Sequence, residues 1–174
     1  PDHYALTTAT SSTFGRLSWV FDALRADPTL PPVVVLAGVD PASEGTGDTT
    51  GVAPEDLQGR VVVVTPRDLT DVGAALYGAS LLVTPQDFVG TGYTLLGALS
   101  GAVPVLHSGH PAAEEIVLDA GVSAPSPGEF AAEFTRLFRD PNSLTRLAVL
   151  ARDRSRGFSW HGAAWQLWET HANL

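Results

Sequence analysis

The run Ser80-Leu81-Leu82-Val83-Thr84-Pro85-Gln86-Asp87-Phe88-Val89-Gly90-Thr91-Gly92-Tyr93 decides the fold. Ser80–Thr84 reads as a strand, Gly90-Thr91-Gly92 as a glycine-rich turn, and Tyr93–Ala102 as the helix that the turn opens into. The same texture extends outward in both directions. Upstream, Tyr4–Ala9 is a strand, and Phe14–Ala26 carries Leu17, Val20, Phe21 and Leu24 at helical spacing. Pro28 and the Pro31-Pro32 pair stop that helix. Val33–Val39 is a continuous apolar strand of the kind buried on both faces of a parallel sheet. Asp40–Pro54 is polar, Gly-rich and without period, a loop. Val61–Thr65 is a third strand and Leu69–Gly78 a short helix. Downstream follow a strand at Val103–His107, a helix at Ala112–Ala120 and a short strand at Val122–Ala124. Glu129–Arg139 and Ser143–Arg156 are amphipathic helices separated by Asp140-Pro141-Asn142, and Trp160–His171 is the last helix.

Strand and helix alternating in this way predict βαβ units, and right-handed crossovers make them an α/β doubly wound, Rossmann-like parallel sheet of six strands with helices on both faces. Residues 1–157 are assigned to that domain, and 158–174 to a helical C-terminal extension. In the strand order 3-2-1-4-5-6 the first and fourth strands are neighbours, and the loops leaving them border the ligand crevice. That rule selects Thr8–Gly15 and Pro85–Tyr93.

Composition removes several functions. The formal net charge of the 174 residues is −9, from 19 acidic and 10 basic side chains, so neither a nucleic-acid footprint nor a basic membrane stripe is available. Every basic residue is arginine, which excludes lysine chemistry. The absence of cysteine excludes disulfides, thiolate nucleophiles and zinc-cysteine sites. No apolar run approaches a membrane span, and no signal pattern opens the chain. Pro1 stands where an initiator methionine would, and a fragment of a longer protein is the expectation.

In the fourth-strand loop, Gly90 and Gly92 let backbone approach a ligand closely, and the helix that follows aims its positive dipole end there. The third glycine of a dinucleotide fingerprint would fall at Leu95, and no lysine exists for a phosphate loop. A plain tight turn is the competing reading. The first loop offers Thr8, Thr10, Ser11, Ser12 and Thr13, which can hydrogen-bond a phosphate without neutralising it. Arg16, just inside the next helix, is the nearest base and reads equally as a solvated helix residue. His107 and His110 with Glu114 and Glu115 have ligand types for a metal, but a turn at Gly109 separates them, and no metal is expected. Trp160, Trp165 and Trp168 read as core packing, or as a partner face if exposed.

From Val61 onward the chain resembles the donor-binding half of group 1 (family 4) retaining glycosyltransferases of the GT-B fold. The resemblance is carried by Leu76-Tyr77-Gly78-Ala79-Ser80-Leu81-Leu82-Val83-Thr84-Pro85, the glycine turn, and Leu95-Leu96-Gly97-Ala98-Leu99. It continues through Val103-Pro104-Val105-Leu106, Glu115-Ile116-Val117, Asp119-Ala120-Gly121 and Phe158-Ser159-Trp160. The stretch from Leu6 to Leu24, with Pro28 and Val33–Gly38, matches the first βαβ unit of the same domain. The resemblance implies a nucleotide-diphosphate sugar as donor, no cofactor, and an acceptor-binding N-terminal domain in the same or another chain. The final helix, with Trp165 and Trp168, would cross toward that domain. It implies a cytoplasmic protein, with any peripheral membrane attachment in the missing half.

The catalytic signature departs from the family. Two glutamates bracket the turn and helix in the family; here they fall on Val89 and Gly97, with Asp87 as a weak substitute for the first. Gly90, Thr91 and Gly92 keep the turn, and Tyr93 and Thr94 occupy positions that contact sugar and phosphates. The arginine and lysine that hold the diphosphate fall within Ala9–Gly15, where nothing is basic. Losing each charge-assisted contact is worth roughly 1.5–3 kcal/mol. Arg16 could compensate by turning back, and Arg67 only from the nucleobase side. Two functions follow. One is a hexosyltransferase-like donor domain whose helix N-terminus stabilises the leaving diphosphate. The other is a catalytically degenerate module acting as a partner or regulatory subunit. A sheet-based oxidoreductase or epimerase is disfavoured, since the glycine fingerprint and the acidic ribose-binding residue are missing.

Overall fold

The computed structural model describes residues 3–9, 14–37, 53–86 and 92–172. Thr10, Ser11, Ser12, Asp87, Val89, Gly90 and Thr91 lie outside these residues, as does most of the loop expected over Asp40–Pro54. The elements run β1 (Ala5–Ala9), α1 (Phe14–Ala26), β2 (Val33–Ala37), β3 (Val61–Val64), α2 (Leu69–Tyr77), β4 (Leu81–Thr84) and α3 (Tyr93–Ser100). They continue β5 (Val105–His107), α4 (Pro111–Val117), β6 (Gly121–Ser123), α5 (Pro127–Arg139), α6 (Pro141–Ser155) and α7 (Trp160–Ala172). Short 3₁₀ turns at Glu55–Leu57 and Leu118–Ala120 complete the list.

All six strands are parallel, in the order β3-β2-β1-β4-β5-β6, as the apolar runs predict. Alternate residues of each strand feed two cores. Ala5, Ala9, Val33, Val35, Leu81, Val83 and Leu106 pack under α1 and α5, meeting Leu17, Val20, Leu24, Phe130, Phe134 and Leu137. Leu6, Val34, Leu36, Leu82 and Val105 face the other way, onto Leu76, Leu95, Ala98, Leu99 and Val117 of α2, α3 and α4. Burial on both faces is what a continuous run such as Val33-Val34-Val35-Leu36-Ala37 requires, and all five residues are buried.

Several boundaries differ from the sequence reading, each for a local reason. α5 begins at Pro127 and α6 at Pro141, two residues earlier than expected, because each proline occupies the first turn, where no N–H is needed. The expected separator Asp140-Pro141-Asn142 is therefore a cap: the Asp140 carboxylate accepts the Asn142 N–H at 3.1 Å. Ser126 and Glu129 form a reciprocal capping box on α5. The helix expected over Ala112–Ala120 ends at Val117, where Leu118 turns to φ 47°. β5 begins at Val105 rather than Val103, and β6 spans Gly121–Ser123, one residue earlier than expected.

The tryptophan stripe is a further correction. No residue of α7 is buried, and Trp160 is 87% and Trp168 67% exposed. Packing of this helix onto the core, the simpler expectation, does not occur, and its apolar side is left open.

Candidate functional site

The crevice lies where β1 and β4 part. Their ladder pairs Ala5 with Leu81 and Leu6 with Leu82 and goes no further, although β1 runs on to Ala9 and β4 to Thr84. The connections leaving these strands lead to helices on opposite faces, which opens a gap at their carboxyl ends. Thr8, a predicted site residue, is half-buried at this edge.

Three polar side chains that the sequence reading missed line the gap. Gln86, 5% exposed, accepts the Thr84 hydroxyl on Oε1 at 2.6 Å and donates from Nε2 to the Thr8 carbonyl at 2.7 Å. Ser108, also buried, donates its hydroxyl to the Gln86 carbonyl at 2.8 Å, and its N–H reaches the Thr84 carbonyl at 3.2 Å. The exits of β1, β4 and β5 are thus joined by side chains. The available signal was modest: each of these residues is a polar side chain at or just past the end of an apolar strand.

α3 starts at the same edge. Its N-cap, Gly92, sits at φ 73° and ψ 2°, a left-handed conformation in which glycine carries no Cβ penalty. As the N-cap, glycine has no side chain to cap this end, and the Gly92 carbonyl accepts the Leu96 N–H at 2.9 Å as the helix begins. The first-turn N–H groups and the positive dipole end therefore face the crevice, an arrangement suited to an anion. Tyr93 is exposed at 66% and Thr94 half-buried, both on this first turn.

The other predicted residues are held elsewhere. The Arg16 guanidinium lies over the Trp19 ring, 4.9 Å from its centroid. Arg67 binds Asp71 with two nitrogens, at 2.9 and 3.1 Å, and lies open to solvent. That pairing and the Arg67 N–H hold the Asp71 carboxyl down to about 2. At Gly97 a Cβ would meet Leu76 Cδ1 at 2.9 Å, so the position faces the side chain of α2.

His107 and His110 do not converge. His107 Nδ1 accepts the Gly109 N–H at 3.2 Å, and burial pushes the imidazole below its ordinary pKa, against the charge of Glu114. His110 Nδ1 caps α4 through the Ala112 N–H at 3.2 Å. Glu114 accepts the Ser123 hydroxyl at 3.1 Å, and Glu115 is exposed. Among the described residues no group of three or more histidines and carboxylates gathers as a metal would need. Nor is any helix among them long and apolar enough to cross a membrane.

No family model matches the sequence, and no curated protein matches it. The fold, however, has solved counterparts. Sucrose-phosphate synthase from Thermosynechococcus elongatus superposes with TM-score 0.78 at 20% identity, covering 99% of this chain and 45% of that one. Anabaena Alr3699/HepE, solved in complex with UDP, gives TM-score 0.74 at 19% identity over 99% of this chain and 49% of that one. The C-terminal domain of a group 1 glycosyl transferase, LpcC of Francisella tularensis, gives 0.63 at 16% identity over 87% and 83%. The chain thus has the Rossmann-like fold of one half of a GT-B glycosyltransferase, and spans less than half the length of the first two proteins. UDP-GlcNAc 2-epimerase of Neisseria meningitidis, bound to UDP-GlcNAc, shares the architecture at TM-score 0.62. The fold by itself therefore does not separate transferase from epimerase.

Proposed function

We propose that this chain is the donor-binding half of a glycosyltransferase, taking a nucleotide-diphosphate sugar in the crevice between the ends of β1 and β4. The observation that carries this reading is the N-terminus of α3, whose N-cap Gly92 has no capping side chain, at the edge where the β1–β4 ladder ends. The diphosphate would lie against the N–H groups from Gly92 to Thr94, beside Thr8 near the end of β1. Arg67 would reach it only from the nucleobase side, and only by leaving Asp71.

In the reaction, the bond between the sugar's anomeric carbon and the diphosphate oxygen breaks as the acceptor oxygen bonds to that carbon. The acceptor's proton leaves with the diphosphate or to a base outside this chain. The α3 N-terminus acts where negative charge develops, on the leaving diphosphate, and so favours the transition state over the bound donor. Retention of configuration and independence from metal follow from the family resemblance. The acceptor belongs to a second domain, and the open face of α7, with Trp165 and Trp168, is the surface offered to it.

The second reading, a degenerate partner or regulatory module, is favoured by Gly97 facing Leu76 and by Arg16 resting on Trp19. Calorimetric and thermal-shift titration with UDP, GDP, ADP and their sugars decides between the two. A ligand at 100 times its dissociation constant raises stability by about 2.7 kcal/mol. Selective binding of one nucleotide, weakened by Tyr93→Ala, supports the donor site. Silence across the panel at millimolar ligand leaves the partner module.

A further inference from the structure

We propose that Gln86 is a positioning residue for the nucleotide site, its side-chain amide bridging the two strand ends that the donor must enter between. The proposal rests on the donor reading above and adds a residue to it.

Main-chain pairing of β1 with β4 stops at Leu6 and Leu82. Two residues further along β1, the Thr8 carbonyl is met by Gln86 Nε2 at 2.7 Å, a side chain standing in for the missing rung. The other end of the amide is fixed by the Thr84 hydroxyl at 2.6 Å, and the residue's own carbonyl by Ser108 at 2.8 Å. Both functional ends of one buried amide are therefore committed, and its rotation is set by the donor on one side and the acceptor on the other. A buried amide held at both ends is restrained in rotation. The separation of the β1 and β4 exits is consequently set by the length of one glutamine. A diphosphate spanning the two would feel any change in that separation, because positioned groups lose their advantage over small displacements.

Gln86→Glu isolates the bridge. A carboxylate still accepts from Thr84 but places an oxygen against the Thr8 carbonyl. Thr84→Val removes the opposite bond and leaves Nε2 on Thr8. Leu137→Val, buried in the core under α1 and α5, supplies a comparison that lowers stability without touching the crevice. Each variant is titrated calorimetrically with UDP, GDP and ADP, and its stability is read from urea unfolding. The expected result is an affinity about tenfold weaker in Gln86→Glu for whichever nucleotide the parent binds, with Thr84→Val affected less and Leu137→Val unchanged. Should Gln86→Glu fail to fold, Gln86→Met keeps the volume and carries the same test. Equal affinity in the parent and the folded Gln86 variant overturns the proposal while leaving the donor site standing. A parent that binds none of the three overturns the donor reading itself, and Gln86's role with it.

Discussion

The Arg16 guanidinium lies 4.9 Å from the centre of the Trp19 ring, one turn along the same helix. The same indole meets Phe130 of α5 edge-on, with centroids 5.8 Å apart. The base nearest the first loop is thus part of the seam between α1 and α5, and its stem and charge serve packing there.

Trp19 should therefore matter more to stability than Arg16. A cation–π contact is worth about 0.5–1 kcal/mol at exposed sites and about 2 kcal/mol when desolvated; with Arg16 and Trp19 both half-buried, a loss of about 1 kcal/mol is expected on Arg16→Ala. Trp19→Ala removes the cation–π contact, the aromatic pair and a partly buried indole together, and a loss of about 3 kcal/mol is expected. Urea unfolding of the two variants measures both. A Trp19→Ala loss no greater than that of Arg16→Ala would show that the seam does not hold the helix.

Thr7 presents a different opportunity. Its side chain is fully buried in β1, and Oγ1 has no hydrogen-bond partner among the described residues. A buried hydroxyl without a partner keeps its desolvation penalty, about 1–3 kcal/mol. Valine has nearly the same shape and suits a strand, so Thr7→Val should raise stability by about 1 kcal/mol. A denaturation midpoint that falls instead would mean the hydroxyl is satisfied in solution.

Ala102, after α3, stands at φ 56°, a left-handed conformation that a Cβ disfavours by roughly 1–2 kcal/mol. Its neighbour Gly101 has an ordinary φ of −78° but lies close to Tyr77, where a Cβ would come within 2.9 Å of Cδ1. The residue that turns is therefore 102, while 101 is small for packing. Ala102→Gly should stabilise by about 1 kcal/mol. Gly101→Ala should destabilise, since the Tyr77 ring must move. Thermal unfolding of the two single variants checks this opposite pair of signs.

The sheet was legible in the sequence because its inner strands are buried on both faces, so that Val33–Ala37 reads as an unbroken apolar run. The strand order is the common one for doubly wound sheets. Gly92 could be anticipated because the start of a helix after a parallel strand has few backbone solutions. Gln86 could not, because one polar residue past a strand has no period and its partner Thr8 is 78 positions away. The α7 tryptophans misled for another reason: an apolar stripe reports that a surface must be covered, but not which element covers it. Arg16 was ambiguous because Trp19, three residues along the helix, competes for it with the loop behind it.

His107 makes stability depend on pH. Its ring is 2% exposed, and Nδ1 accepts the Gly109 N–H, which requires that nitrogen to be unprotonated. Burial pushes its pKa below the ordinary value, while the charge of Glu114 opposes that shift. The folded state therefore binds this proton less readily than the unfolded chain does. Its stabilising contribution is complete above the unfolded pKa of about 6.5 and is lost as pH falls through the lower folded value. Unfolding free energy measured in urea should then decline from pH 7 toward pH 5, and part of that decline should vanish in His107→Asn. Carboxylate titration at lower pH remains in both proteins, so the difference between the two curves, not either alone, isolates the histidine. Curves that run parallel between pH 7 and 5 would place the imidazole in contact with water and remove the Gly109 bond as a determinant of the β5 exit.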